Sequence, residues 1–522
     1  MAAGNWKKER AQARIATRLK EVETIEVREY KRDTNLDDLP RNKAYRVDGV
    51  HLYVDILNLD EMLMSSQSEG PTCHRRTLRF LNLHQRAVHR ILGAVDAIKV
   101  DFHNQRLHAV FAKPYDDEAL RVNRAVATAQ LIIDVLAGTG EDGDEYIPAA
   151  EVRVGIDTGI ALAVCNGRRG SAEPLFLGVP ANHAAKRAGG GDATGIFLTN
   201  EARSAIGLTE VEDEDASALG NEDVAECERE AALSITAETV LRDWKTDLEN
   251  NPIARFEFSG HTPPFADLDL ELLTPGNSRR NDAVSIYADI DGFTRYVAQH
   301  IDTDTGARDV VRALHVLRSE LDAVLTQDFG GRKIRFIGDC VHGVIAAGTA
   351  QTTDTEASAA NAILCTGALR SSFNVALADL KSAGIPTDGL GLAIGFDAGP
   401  VAITRLGMKG AMIRCATGRC VVQSEAEQLD CTGRQTAIGE SAYSWASEAA
   451  RAIFGSDRKR ADLDFACASA ELSRKGESSS KSSRAAATGI AGAGLLEKAT
   501  PAPTAFQFPN HNAAPTKPAG FA

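Results

Sequence analysis

Two separated stretches of the C-terminal half hold the residues best suited to chemistry. Tyr287 to Tyr296 reads YADIDGFTRY, and Lys333 to Ala346 reads KIRFIGDCVHGVIA. In the first, apolar residues lead into Asp289, and Asp291-Gly292 follows. This is the pattern of a buried strand ending in a carboxylate, then a tight turn into a helix whose N–H groups could face an anion. The second reads as two short strands around Gly338-Asp339, a hairpin turn with another carboxylate. If Asp289 and Asp339 reach one pocket, they form a hard-cation site beside a phosphate cradle. Either one alone is as readily an ordinary strand-end or turn acid, because Asp is a common turn former.

The elements that must position these groups follow from the order of the chain. The first residues are charged, with Ile15, Leu19, Val22 and Ile25 at near-helical spacing. They predict an amphipathic helix within 1–44, packed on the body or on a second copy in a homodimer. His51 to Met62 reads as a strand leading into a helix, Arg79 to Leu92 as a helix, and Ile98 to Ala112 as a hairpin. Asn123 to Leu136 suits a helix, Glu141 to Asp144 an exposed acidic loop and Val152 to Ile156 a buried strand. Pro180 stands at the head of a further helix. Residues 209–282 include an acidic, poorly periodic tract and read as a connector. A second globular segment spans 283–465, and the Ser, Ala, Gly, Pro and Thr of 466–522 predict a disordered tail.

Composition narrows the function. The chain has 522 residues and a formal net charge of −14, which disfavours a nucleic-acid partner. The nine Cys are odd in number and lack CxxC spacing, so reduced thiols in a cytoplasmic protein are expected. No apolar run is long enough for membrane insertion.

The two halves repeat each other. Asp55 in LYVDI matches Asp289 in IYADI (289 − 55 = 234), and His108 matches His342 at the same offset. Gly155, Gly159 and Gly178 match Gly395, Gly399 and Gly418 at an offset of 240. The chain therefore reads as two α/β units, 45–208 and 283–465. They are not equivalent. Gln105 falls opposite Asp339, whereas Asn182 and Lys186 fall opposite Val422 and Ala426. Each unit lacks what the other keeps, as expected of a pair sharing one composite site.

These motifs resemble the class III nucleotidyl cyclase catalytic domain. ADIDGFT is similar to that family's first metal motif, KIRFIGD to its second, LAIGFDAGPV to its central strand and turn, and NHAAK to its Asn-x-x-x-Arg helix. The resemblance implies an α/β (α+β) fold of two ferredoxin-like units packed head-to-tail, with a nucleoside triphosphate in the groove between them. It further implies two divalent ions, Mn²⁺ or Mg²⁺, on Asp289, Asp339 and the carbonyl of Ile290. Backbone N–H groups of Asp291, Gly292, Phe293 and Thr294 would take phosphates. Asn182 would orient the ribose and Lys186 would meet charge on the α-phosphate, with Arg187 as the alternative.

Two departures bear on the base. Leu175 stands where purine cyclases carry a polar base-reading residue, and Asp101 replaces the expected lysine. Tyr53, Asp101, Phe102 and Leu175 are the candidates for shaping the base pocket. LGVPANHAAK resembles the pyrimidine cyclases of Pycsar anti-phage systems, especially their uridylate cyclases. That resemblance implies UTP as substrate and a cyclic nucleotide that acts on a separate effector. The repeated His108 and His342 read as packing residues, and Asp55 as a structural remnant. The remaining alternatives are a cytidylate or purine cyclase, and an inactive nucleotide-sensing pair.

Overall fold

The long strands Lys43–Ile56 and Ser278–Asp291 are the centres of two sheets of matching order. The computed structural model describes residues 5–473 apart from 33, 35, 37–38, 65–68, 141–146, 166–173, 261–264 and 350–351. The expected acidic loop Glu141 to Asp144 and most of the expected tail lie outside these residues.

In the N-terminal sheet, the hairpin Ile98–His103 and Arg106–Phe111 flanks Lys43–Ile56, whose other edge pairs with Val152–Cys165. In the C-terminal sheet, the hairpin Arg332–Ile337 and Cys340–Ile345 flanks Ser278–Asp291, which pairs with Gly391–Leu406. The hairpin strands begin 234 residues apart (332 − 98 and 340 − 106), so the repeat read from isolated residues holds for whole elements. Each sheet carries helices on its apolar face: Pro71–Ala94 and Glu118–Ala137 in one unit, Asp304–Ala323 and Thr355–Ser382 in the other.

A repeated glycine seats the helix that follows each long strand. A Cβ on Gly155 would lie 2.0 Å from the Ala184 carbonyl oxygen, and one on Gly395 2.1 Å from the Gln428 nitrogen. Helices Val179–Ala188 and Arg419–Leu429 therefore rest almost directly on strand backbone, as only glycine permits.

Three predicted boundaries change. The N-terminal helix covers only Lys8–Glu21, after which Glu26–Glu29 adds to the sheet parallel to Lys43–Arg46. Its Ala11 and Ile15 pack into the core of the opposite, C-terminal unit. The connector is not irregular: Asn221–Ala231 and Ala237–Asn250 are helices, with Val224, Cys227, Val240 and Trp244 buried in the N-terminal core. Sparse apolar residues at helical spacing were hidden there by the acidic face. Finally, residues 465–473 are helical, with Ala468 buried and Phe465 against Trp6 at 5.6 Å, so the low-complexity tail begins later than 466.

Arg14 fastens the N-terminal helix to the C-terminal unit. Its guanidinium donates to Glu320 (2.6 and 3.0 Å) and to both oxygens of Asp328 (3.0 Å each), and both acids are 1% exposed. Breaking a buried pair strands a charge, a loss of several kcal/mol. Arg14→Ala is expected to lower unfolding free energy by roughly 3 kcal/mol, measured by denaturant titration of tryptophan fluorescence; a change near zero would show that the strap is dispensable.

Candidate active site

Asp289 is fully buried near the end of Ser278–Asp291, and Asp339 is 1% exposed in the turn of the neighbouring hairpin. The register places Val341 opposite Ala288, so the next step along the ladder brings Cys340 toward Asp289, with Asp339 immediately beyond. Burial raises the Cys340 thiol pKa, and both carboxylates raise it further. Gly338 turns the hairpin at φ +56°. Sequence distance is thus replaced by adjacency of two strand ends.

After Ile290, Gly292 adopts φ +82°, and a Cβ there would lie 2.3 Å from the Gly389 carbonyl oxygen. The turn opens helix Phe293–His300, whose first backbone bond runs from Tyr296 N–H to Gly292 O. The N–H groups of Phe293 and Thr294 precede that bond, where a helix start favours an anion. Phe293 has its ring in the core, so only its backbone can serve. The Asp291 carboxylate accepts from Gly433 N–H at 2.8 Å, holding a loop against the turn.

The opposite wall comes from the N-terminal unit. Helix Val179–Ala188 packs against Phe293–His300. Asn182 is 4% exposed, and its Oδ1 has no hydrogen-bond partner among the described residues. Lys186, one turn on, is exposed and has no ion pair among the described residues. Its neighbour Arg187 is engaged elsewhere, with Glu214 at 2.8 Å and Asp215 at 3.2 Å. Between the two cations of the sequence reading, the acidic tract therefore occupies Arg187. His183 faces Asp157 at 3.4 Å, a link that ties this helix to strand Val152–Cys165.

The base-pocket candidates separate. Tyr53 lies beneath the same helix with Ala184, Ala185 and Ala188 and stacks on His108 at 3.9 Å. Burial and the nearby Asp101 raise its pKa. Asp101 forms an ion pair across the seam with Arg335, whose guanidinium also donates to the Phe102 carbonyl at 2.5 Å. Leu175 pairs with Val164 and packs into the C-terminal core. Phe102 is a correction: its ring belongs to the N-terminal hydrophobic core, because it points to the face opposite Asp101 on the strand.

Reciprocally, the second half-site is filled. Arg106 donates to Glu425 of the C-terminal unit at 2.6 Å and to Asp55 at 3.5 Å. Burial raises the Asp55 pKa to about 6, against the opposing pull of Arg106. Sequence reasoning missed Arg106, Glu425 and Arg335. The offset 335 − 101 = 234 was legible, and opposite charges at matched repeat positions were the available signal. The repeated histidines are packing residues, as expected: His342 stacks on Tyr287 at 4.2 Å, and burial depresses the pKa of both His108 and His342.

Among the described residues no group of three or more His, Cys, Asp or Glu forms a metal cluster. The donors offered are two buried carboxylates and a backbone carbonyl. An all-oxygen set of this size suits a hard divalent ion that keeps waters and substrate phosphates as its other ligands.

Two α/β units of matching strand order, one with buried carboxylates at its strand end and hairpin turn, have the pattern of a class III nucleotide cyclase, and the chain belongs to that family. The adenylate and guanylate cyclase catalytic domain family matches residues 277–451. A uridylate cyclase of Pseudomonas aeruginosa is 54% identical over 92% of this chain and 94% of its own. A uridylate cyclase of a Rhizobium species is 38% identical over 80% of this chain and 82% of its own. A crystal structure from P. aeruginosa, described as a class III adenylyl cyclase-like ATP-binding protein, aligns with a TM-score of 0.87 at 55% identity, covering 90% of this chain and 100% of that one. The family is generally dependent on divalent metals.

The two half-sites are separable by substitution. Asp289→Asn is expected to reduce turnover on the order of 100-fold or more, whereas Asp55→Asn retains most of it; equal losses in steady-state assays would refute the asymmetry. Lys186→Ala should cut turnover with an unchanged melting temperature. Arg187→Ala should instead cost about 1–3 kcal/mol of stability, since it removes charge-assisted hydrogen bonds.

Proposed function

We propose that the protein converts UTP to 3′,5′-cyclic UMP and pyrophosphate, by attack of the ribose 3′ oxygen on the α-phosphorus. The observation that carries this reading is 54% identity to a uridylate cyclase over 92% of the chain; supporting it are the buried Asp289 and Asp339 of one unit and the Asn182 and Lys186 helix of the other, which packs on Phe293–His300. Phosphoryl transfer asks a protein mainly to position groups and neutralise charge. Asp289, Asp339 and the Ile290 carbonyl would hold two Mg²⁺ or Mn²⁺ ions, which when bound supply Lewis acidity toward the 3′ hydroxyl and the phosphate oxygens. Backbone N–H groups at the start of Phe293–His300 receive the β and γ phosphates. Asn182, whose buried Oδ1 has no protein partner among the described residues, orients the ribose. Lys186 offsets charge growing on the α-phosphate as a point charge, without the planar fork of an arginine.

Base selection falls to the N-terminal wall. An Asp101–Arg335 pair beside Tyr53 offers both an acceptor and a donor, which suits uracil's N3–H and carbonyl groups. The product would serve as a second messenger in anti-phage defence, acting on a separate effector. No helix among the described residues is long and apolar enough to cross a membrane, in keeping with a diffusible signal made in the cytoplasm.

A second reading, a purine cyclase, draws on the solved relative described as ATP-binding. Incubation of the purified chain with each of ATP, GTP, CTP and UTP plus Mn²⁺, followed by mass spectrometry, decides between them. Cyclic UMP as the main product is expected. Cyclic AMP as the main product would overturn the uridylate reading, and no cyclic product from any triphosphate would overturn the enzyme.

A further inference from the structure

Arg46 joins the two units at the far end of the helix that opens beside Asp289. It stands on the long strand Lys43–Ile56 of the N-terminal unit. Its guanidinium donates to the Ile301 carbonyl at 2.8 Å and to Asp304 at 3.3 Å, both in the C-terminal unit. Ile301 is the residue that ends helix Phe293–His300, and its own N–H bonds back to the Val297 carbonyl. The last carbonyls of a helix lack partners within it and carry partial negative charge, so a cation placed there completes and stabilises the end. The Arg46 side chain is 14% exposed, whereas its acidic neighbours Asp304 and Glu29, at 3.3 and 3.9 Å, are 73% and 75% exposed. Ion pairs to acids so exposed are worth little, which leaves the carbonyl bond as the contact that matters.

The repeat supplies an internal comparison. Arg46 matches Arg280 at the offset of 234 (280 − 46), and Arg280 makes the reciprocal crossing. It donates to the Glu69 carbonyl at 2.7 Å and to His74 Nδ1 at 3.2 Å, both in the N-terminal unit. Each arginine therefore grips the start of the opposite unit's long helix, Asp304–Ala323 or Pro71–Ala94, and the residues just before it. What differs is the short helix that precedes this stretch. In the C-terminal unit it is Phe293–His300, which follows Asp289 and Gly292; in the N-terminal unit it is Leu59–Met64, which follows Asp55 in the unit lacking a second carboxylate. Two clamps of one kind thus exist, and one of them is fastened to a helix of the candidate site.

We propose that Arg46 is a positioning residue for the triphosphate: from the N-terminal unit it holds the far end of the helix whose start faces the β and γ phosphates. The identity of that anion rests on the cyclase reading. The helix has eight residues, a rod about 12 Å long at roughly 1.5 Å per residue. Phe293, Tyr296 and Val297 seat its side in the C-terminal core, helix Val179–Ala188 packs on it, and Arg46 secures its end. A shift at that end tips the N–H groups of Phe293 and Thr294 at the other. Arg46 shares its strand with Tyr53, so one strand of the N-terminal unit reaches both this helix and the residue lying beneath the Asn182 helix. The β and γ phosphates meet the same groups before and during reaction, so loosening the helix removes uniform binding: KM rises and kcat changes little.

The test is isothermal titration of the full chain with pyrophosphate in the presence of Mg²⁺, a probe that carries neither base nor ribose. Arg46→Ala is expected to bind it about fivefold more weakly than wild type. Arg46→Lys should recover most of the difference, because it keeps the charge at the helix end, and Arg280→Ala, which breaks the matched clamp, should bind as wild type does. With UTP and Mn²⁺ the KM of Arg46→Ala should rise by the same factor while kcat stays near wild type. If Arg46→Ala does not fold, Arg46→Gln, which keeps much of the stem and loses the charge, carries the same expectations. Pyrophosphate binding unchanged by the Arg46 substitutions, an equal loss in Arg280→Ala, no binding by wild type, or a lower kcat at unchanged KM would overturn the proposal. Arg46-dependent pyrophosphate binding in a chain that makes no cyclic product would instead overturn the cyclase reading and leave the positioning role standing.

Discussion

Two arginines cross the seam between the units in opposite directions, and the arrangement of everything else follows from them. Arg335 reaches from the C-terminal unit to Asp101 and the Phe102 carbonyl, while Arg106 reaches back to Glu425. Each is nearly buried, so each is held to a fixed partner by the high cost of an unpaired charge at low dielectric. Together they tie the hairpin of each unit to the other unit.

The same two contacts make the pair asymmetric. Arg106 occupies the space between Asp55 and the opposing helix, closing the half-site that lacks a second carboxylate. At the matching position of the C-terminal unit stands Cys340, small and uncharged beside Asp339 in the hairpin turn. The N-terminal unit thus carries an internal salt bridge where the repeat places Cys340 in the C-terminal unit. The acidic tract after the N-terminal unit takes part as well, since Glu214 and Asp215 occupy Arg187 and leave Lys186 as the cation on the helix's exposed side.

Much of this was legible in the linear chain. The strand-ending Asp289, the hairpin Gly338-Asp339 and the repeated glycines are local signals, because turn geometry and close packing constrain residue type within a few positions. The amphipathic spacing of Ile15, Leu19 and Val22 likewise gave the first helix. The connector helices were less legible, since their buried residues are few and the acidic surface dominates composition. Asp101 and Phe102 are neighbours on one strand, so alternation sends them to opposite faces, and only the tertiary structure shows that the Phe102 face is the N-terminal core.

By itself, then, the amino-acid order determined the family and the repeated two-unit architecture, because these rest on short motifs and on constant offsets. Tertiary structure alone decided which charges meet. That Arg187 is engaged while Lys186 is exposed, and that Arg106 bridges Asp55 and Glu425, both depend on side chains far apart in the chain converging. Long-range ion pairing has no fixed sequence spacing, so nothing in the chain's periodicity could have specified it.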